Sequence, residues 1–379
     1  MVVSRRTLLA SAFAAAGCGR KPASRYFGWL FIASAGEKAL AVADLSDFRR
    51  LSSIPLPQSP NQVFRVGSKV FASCPDGRVI YEIDPQSFHI SGKIAFPGRI
   101  AGCAVCPNGT RIAVAVEQPA AVYLVDPSTR RVTARIPLPA IPALIDVTNT
   151  LAAVSSVNGT QIFRISLSSG GKMAGATELG WKPGVVRLHG DANLIIAGAS
   201  DRAEIATVNS ETGALLARLP LAFTPARFCF NSDLGQMFVT GSSADEIAIV
   251  SPWQSEVEQT IVAGHMPYAM AVGATGDRNL LYITNAGSGD LSIFDIDTRT
   301  LAASVHIGGK PGEVLLTPDG EYALVVNQES GDVSVVRVET VVGAGGAGML
   351  DRTNKVKPLF TVFPTAANPQ SAAIVPHAA

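Results

Sequence analysis

Net charge is what this chain has least of. Its 31 basic and 30 acidic residues leave a formal charge of +1, and charged residues make up only 16% of the sequence. A general nucleic-acid binder needs a basic face to release counterions from phosphates, so no nucleic-acid partner is expected. No acidic tail is present either. Histidine and cysteine are equally sparse, five of each. His89, His189, His265, His306 and His377 fall far apart with no HExxH or HxH spacing, which argues against a zinc site. Cys103-x-x-Cys106 is the one pair at a redox or metal spacing, and no histidine follows Cys106, which excludes covalent haem attachment. On a strand, residues three apart point to opposite faces, so these two thiols diverge. Cys74, Cys103, Cys106 and Cys229 therefore read as small core residues; a disulfide from Cys74 to Cys103 or Cys106 is the alternative if the chain is exported. No Ser/His/Asp order, nucleophile elbow or paired carboxylate spacing is visible, and no cofactor or metal is expected.

What the chain does have is turn residues. Gly 35 and Pro 24, with 47% hydrophobic residues, fit a turn-dense all-β protein whose sheets are covered on both faces. The stretch NLLYITNAGSGDLSIFDID is followed by YALVVNQESGDVSVVRVE, so that Asn285 returns as Asn327, Gly289 as Gly331, Asp290 as Asp332 and Ser292 as Ser334. A period in the low forties, built of short β-branched runs between Gly/Asp/Asn/Pro clusters, is the signature of a four-stranded propeller blade. Prolines mark the blade starts at Pro60, Pro142, Pro183, Pro225, Pro267 and Pro311, with one further unit beginning near Ile100. Pro107-Asn108-Gly109 and Pro318-Asp319-Gly320 read as hairpins between first and second strands. Asp84, Asp126 and Asp295 open a second class of turn after the third strand, where a carboxylate bonds its own turn backbone rather than a metal.

The two ends belong together. Residues 27–56 supply three strands without a first one, and 368–376 reads as a first strand without successors. Joining them closes the ring and removes open sheet edges. The expected fold is all-β, an eight-bladed β-propeller closed by the C-terminal strand in the N-terminal blade, occupying 26–379 as one domain. Seven blades is the alternative if the weakest unit, 141–180, is degenerate. An insertion at 341–358 interrupts the last blade; its glycines precede no helical period and do not read as a phosphate cradle.

The N-terminus reads as an address. Arg5 and Arg6, a short apolar stretch from Ala10 to Ala16 and the run Ala15-Ala16-Gly17-Cys18 combine a twin-arginine export signal with a lipobox-like site, making 1–18 a lipoprotein signal peptide and 19–25 a linker. The apolar stretch is too short to span a bilayer. Cys18 is the expected lipid anchor and the expected location is periplasmic or surface-exposed on a bacterial membrane, with cleavage and release as the alternative.

Tyr282-Ile283-Thr284-Asn285, then Gly289-Asp290-Leu291-Ser292-Ile293 and Gly308-Gly309-Lys310-Pro311, resemble the YVTN-type β-propeller repeat. The resemblance covers roughly 26–376, is close in the seventh and eighth units and loose elsewhere; Ser166 and Ser251 replace the turn aspartate in the fourth and sixth. It implies a propeller, often periplasmic or surface-exposed, usually without assigned chemistry, and related to sugar lactonases, the haem d1 chain of nitrite reductase and quinoprotein dehydrogenases. No motif particular to those enzymes is legible. Where blades hand over to one another, crossover loops converge on the central channel, and Gln62, Lys182, Arg227, His265, Lys310 and Glu313 are the candidate binding residues there. Arg227 and Glu313 both sit two residues after a blade proline. The expected function is an exported, non-catalytic scaffold that binds a protein or small ligand through these loops; the alternative is a periplasmic propeller enzyme, lactonase-like, hydrolytic or a quinoprotein-type oxidoreductase subunit.

Overall fold

Short apolar runs flanked by Gly, Pro, Asn and Asp fold here as strands joined by hairpins. The computed structural model describes residues 26–190, 193–241, 243–342 and 358–377, and contains eight four-stranded antiparallel sheets set in a ring. Arg5, Arg6 and Cys18 lie outside the described residues, as does 343–357 of the insertion. Blades 2 to 8 follow the chain, each starting at the channel: Gln62–Val66, Ile100–Val105, Pro142–Val147, Pro183–Leu188, Pro225–Phe230, Pro267–Thr275 and Pro311–Leu316 are the inner strands. Blade 1 is composite. The last strand, Pro369–Pro376, takes its inner position beside Gly28–Ser34, with Leu30 opposite Ile374 and Ile32 opposite Ala372. The weakest unit of the sequence is a full blade, ordered from Pro142–Val147 outward to Lys172–Glu178, so the count is eight.

The second and third strands of each blade are almost wholly buried, as in Ala39–Asp44 and Ile112–Val116, because both of their faces meet a neighbouring blade. The core is correspondingly divided into eight apolar clusters, one at each blade interface. Cys103 enters the cluster between blades 2 and 3, and Cys106 the one between blades 3 and 4, the divergence that strand geometry requires. Cys74 lies in a third cluster, between blades 1 and 2, and so cannot reach either of them: the alternative disulfide does not form, and the four described cysteines are free thiols. Cys229 is half-buried rather than core.

The turn after the third strand is a repeated device. Asp84 accepts from Gln86 N at 3.0 Å, Asp126 from Ser128 N at 2.8 Å and Asp295 from Thr298 N at 2.9 Å, as the turn chemistry predicts. Ser251 accepts from Gln254 N at 3.3 Å in the same role. Four residues after each turn's first residue the backbone turns left-handed, at Phe48, Phe88, Arg130, Gly213, Ser255 and Arg299. There the chain meets the preceding blade. Phe88 packs edge-on against Trp29 with ring centroids 5.4 Å apart, and Phe48 against Tyr322 at 4.9 Å. Arg130 pairs with the buried Glu82 at 3.2 Å, which Lys69 also reaches at 3.2 Å. In blade 5 this position is Gly213, at φ +77, lying close over the Arg164 guanidinium that blade 4 inserts under the turn to donate to Ser210 O at 3.1 Å. Outer strands are blunted instead: each carries a bulge, for example between Val42 and Ala43 of its partner strand in blade 1 and between Thr207 and Val208 in blade 5, which breaks the regular edge another chain could pair with.

The repeated Asn and Ser explain themselves at the crossovers. Asn327 donates from Nδ2 to Ile307 O at 3.1 Å and to Ser334 Oγ at 3.0 Å, and Ser334 donates to the same Ile307 carbonyl. In blade 7 Asn285 donates to Ser292 Oγ at 2.9 Å and Ser292 to the loop carbonyl Ala263 O at 2.5 Å. Each pair ties down the loop that delivers the chain to its blade. An Asn327→Ala protein is expected to lose about 1–3 kcal/mol by urea unfolding, the cost of two buried hydrogen bonds that leave the Ile307 carbonyl held by Ser334 alone; an unmoved midpoint would show that the loop holds itself.

Candidate ligand-binding face

All inner strands run in one direction, so their first residues share one mouth of the channel with the crossovers. In blades 3 to 8 the register shifts just after the first inner-strand residue, as between Pro225 and Arg227 or Pro311 and Val314. A bulge re-aims side chains, and here it falls at the position that Arg227 and Glu313 occupy. Arg227 is exposed and lies over the Tyr268 ring, its Cζ 4.1 Å from the centroid. Glu313 is half-buried and accepts from Ala372 N at 2.8 Å. Burial pushes its carboxyl pKa up, against the pull of the Ala372 amide, the Ser371 hydroxyl and the Arg227 charge. The two residues therefore stand on either side of blade 7 and feel each other's charge. Glu313 also has a structural role, tying blade 8 to the closing strand, which Ser371 Oγ links onward to Val63 N at 3.4 Å beside Gln62.

The other candidates do not join this pair. Lys182 and Lys310 are exposed on blades 5 and 8, with their carbonyls accepting from Ser200 N at 2.8 Å and Gln328 N at 3.0 Å. Lys310 is left-handed, φ +50, immediately before the blade proline. Neither lysine nor Arg227 pairs with a carboxylate within 4.0 Å among the described residues. His265 is exposed and pairs through Nδ1 with Asp245 at 2.9 Å; that hydrogen bond, with a second from Met266 N, holds Asp245 below the usual carboxylate range. His306 and Asp290 repeat the arrangement at 3.0 Å. The result is a ring of separate polar groups. Among the described residues no three His, Cys, Asp or Glu gather as a metal would require, and no helix is long and apolar enough to cross a membrane.

Sequence reasoning missed Tyr268 and Asp245, whose roles depend on a neighbouring blade. It also missed the opposite mouth. There a cleft of about 440 Å³ opens between turn 231–236 of blade 6 and Asn279, Asp297 and Arg299 of blade 7. Asn, Asp and Gly at these positions carry the same signal as any hairpin, so no local pattern marks them as a cleft.

Known proteins are similar in fold. The family described as "Lactonase, 7-bladed beta-propeller" matches residues 240–354. That segment spans fewer than three blades, so it bears on the repeat and not on the blade count. The seven-bladed beta-propeller protein Rv1057 of Mycobacterium tuberculosis is 22% identical over 152 residues, 39% of this chain and 38% of its own length. The chain thus matches well under half of that relative. Among solved structures, dihydro-heme d1 dehydrogenase NirN in complex with DHE superposes with a TM-score of 0.73 at 14% identity, covering 93% of this chain and 76% of that one. Kuenenia stuttgartiensis hydrazine synthase gives 0.56 at 18% identity, with 73% and 95% covered. At these identities the likeness is one of fold, and the chain is a β-propeller protein.

Because burial raises the Glu313 pKa, the neutral carboxyl is the form the fold prefers. Its contribution is full below the unfolded value of about 4.3 and fades as pH rises through the folded value. Glu313→Gln keeps the acceptor for Ala372 N without the charge. Its melting temperature relative to the parent protein is expected to climb from pH 4 to pH 7, and a pH-independent difference would contradict a charge held at a desolvation cost.

Proposed function

We propose that this protein is an exported, lipid-tethered β-propeller of the YVTN-repeat type that works as a binding scaffold, taking an anionic ligand or an acidic segment of a partner protein at its crossover mouth. One observation carries this reading: Lys182, Arg227 and Lys310 stand exposed around that mouth with no carboxylate paired to them among the described residues. On a nearly neutral protein, exposed cations without an ion-pair partner on a rigid rim attract and orient a partner of opposite sign. The crossover loops into blades 7 and 8 are held by Ser292 on Ala263 O and by Asn327 on Ile307 O, so little ordering entropy opposes binding. The export signal at Arg5 and Arg6 and the anchor at Cys18 put the scaffold on the outer side of a bacterial membrane in this reading.

A second reading, a lactonase-like propeller enzyme, is favoured by the family match over 240–354, which contains His265, Lys310 and Glu313. An oxidoreductase role has the fold likeness to NirN behind it. Both readings put function at the same mouth, and a binding titration and a hydrolysis assay separate them. Calorimetric titration with poly-L-glutamate and with tripolyphosphate is expected to show binding that the triple reversal Lys182→Glu, Arg227→Glu, Lys310→Glu weakens about tenfold or more, a loss of about 1.4 kcal/mol or greater. Equal affinity in the triple variant would remove the scaffold reading. Saturable hydrolysis of gluconolactone that Glu313→Gln abolishes would replace it with the enzyme reading.

A further inference from the structure

The turn mouth, opposite the crossovers, carries a feature that the scaffold reading leaves unused. Trp253 is 56% exposed, whereas Trp181 is 1% exposed and Trp29 is packed against Phe88. An indole left in water is ordinarily a loose surface side chain, but this one is braced. His189 meets it edge-on with ring centroids 4.6 Å apart and an interplanar angle of 74°, and Phe230 meets His189 at 5.4 Å and 84°. His189 itself is 2% exposed, with Nε2 at 2.9 Å from Leu234 O. Leu234 is left-handed, φ 62, and lies between Asp233 and Gly235, both of which line the cleft. The histidine that braces Trp253 is thus bonded to the turn that forms one wall of the cleft.

The cleft presents mixed hydrogen-bonding groups in fixed orientations. Asn231, which lines the cleft, accepts from Gln236 N at 2.9 Å through Oδ1, so its amide NH2 is not the group spent on that bond. Gln236 donates its NH2 to Glu258 at 2.9 Å and Asn279 donates its NH2 to Asp297 at 3.3 and 3.1 Å, which leaves an amide oxygen on each. Arg299 is engaged by Glu258 and by Gln259 at 3.3 Å, whereas Asp233 and Asp297 have no ion-pair partner within 4.0 Å among the described residues. A volume of about 440 Å³ falls within the range of small-ligand sites, roughly 300–1,000 Å³.

We infer that this mouth binds an uncharged glycan, with one pyranose ring lying on Trp253 and a neighbouring ring hydrogen-bonded in the cleft. A pyranose offers an apolar face of C–H groups, which an exposed indole face accommodates, and an equatorial rim of hydroxyls that each donate and accept. The alternating amide donors and acceptors suit that rim. The carboxylates of Asp233 and Asp297 repel uronic acids and sugar phosphates. This inference is independent of the crossover mouth.

Tryptophan fluorescence of the full chain tests it, since Trp253 is the indole whose surroundings a ligand at this mouth would change. Maltohexaose or the hexamer of N-acetylglucosamine is expected to shift the emission, with binding weakened about tenfold or more in both Trp253→Ala and Asn279→Ala, and unchanged in Arg227→Glu at the other mouth. Calorimetry supplies the same readout for Trp253→Ala, which lacks the reporter, and thermal melts verify that both variants fold. No response to either sugar at about 10 mM, affinity undiminished in both variants, or tighter binding of a polygalacturonate hexamer or of hexalysine would each overturn the assignment.

Discussion

Every blade of this ring depends on its neighbour for a core. The second and third strands are apolar on both faces, so a lone blade would leave both open to water, and the eight clusters exist only where two sheets meet. The left-handed turn residue enforces the contact. A non-glycine residue at positive φ is unfavourable locally, and it persists because its side chain is projected onto the blade before it. Phe48 and Phe88 do this with rings, Arg130 and Arg299 with charge, and Ser255 with a hydroxyl 3.3 Å from Thr207 Oγ1. The backbone feature is shared while the chemistry changes from interface to interface.

Closure follows from the same constraint. An open array would end in two blades with one dry face missing, and the ring removes both ends by lending the last strand to the first blade. The join is reinforced from both sides: Glu313 binds the Ala372 amide and Ser371 binds the Val63 backbone. A charged residue on an inner strand thus serves closure as well as lining the channel. The cost is visible in its raised pKa, since a half-buried carboxylate gives up part of its hydration to hold one amide.

The architecture was legible in the sequence because its signals are local and repeated. Turn aspartates, blade prolines and the Asn/Ser pair recur at one spacing, and each acts within its own blade or the loop feeding it. Even the divergence of Cys103 and Cys106 was decided by strand alternation alone. The candidate site was legible only by position. That Arg227 and Glu313 would occupy equivalent places followed from the blade prolines, but that Arg227 lies on Tyr268 and that Glu313 reaches Ala372 depends on which blades are neighbours across a closed ring. The turn mouth was not legible at all. Asn231, Asp233 and Gly235 satisfy the demands of a hairpin, with Asp233 accepting from Gly235 N at 2.8 Å, and their second use as a cleft wall leaves no separate mark.

The two mouths differ for a physical reason. At the crossover mouth the chain passes from an outer strand to the next inner strand, so its loops must be pinned, and the pinning Asn and Ser side chains are consumed in doing it. Among the groups exposed there are Lys182, Lys310 and Arg227, which flank blade prolines, together with the carboxylate Glu329, whose amide donates to Gly309 O beside Lys310. At the turn mouth the short hairpins hold themselves through their own bonds, as Asn231 does by accepting from Gln236 N, and Asn279 on the second strand of blade 7 donates to Asp297 of the next turn. The two ends of the ring thus present different polar chemistry, and a single ring can carry both because the apolar blade interfaces between them stay the same.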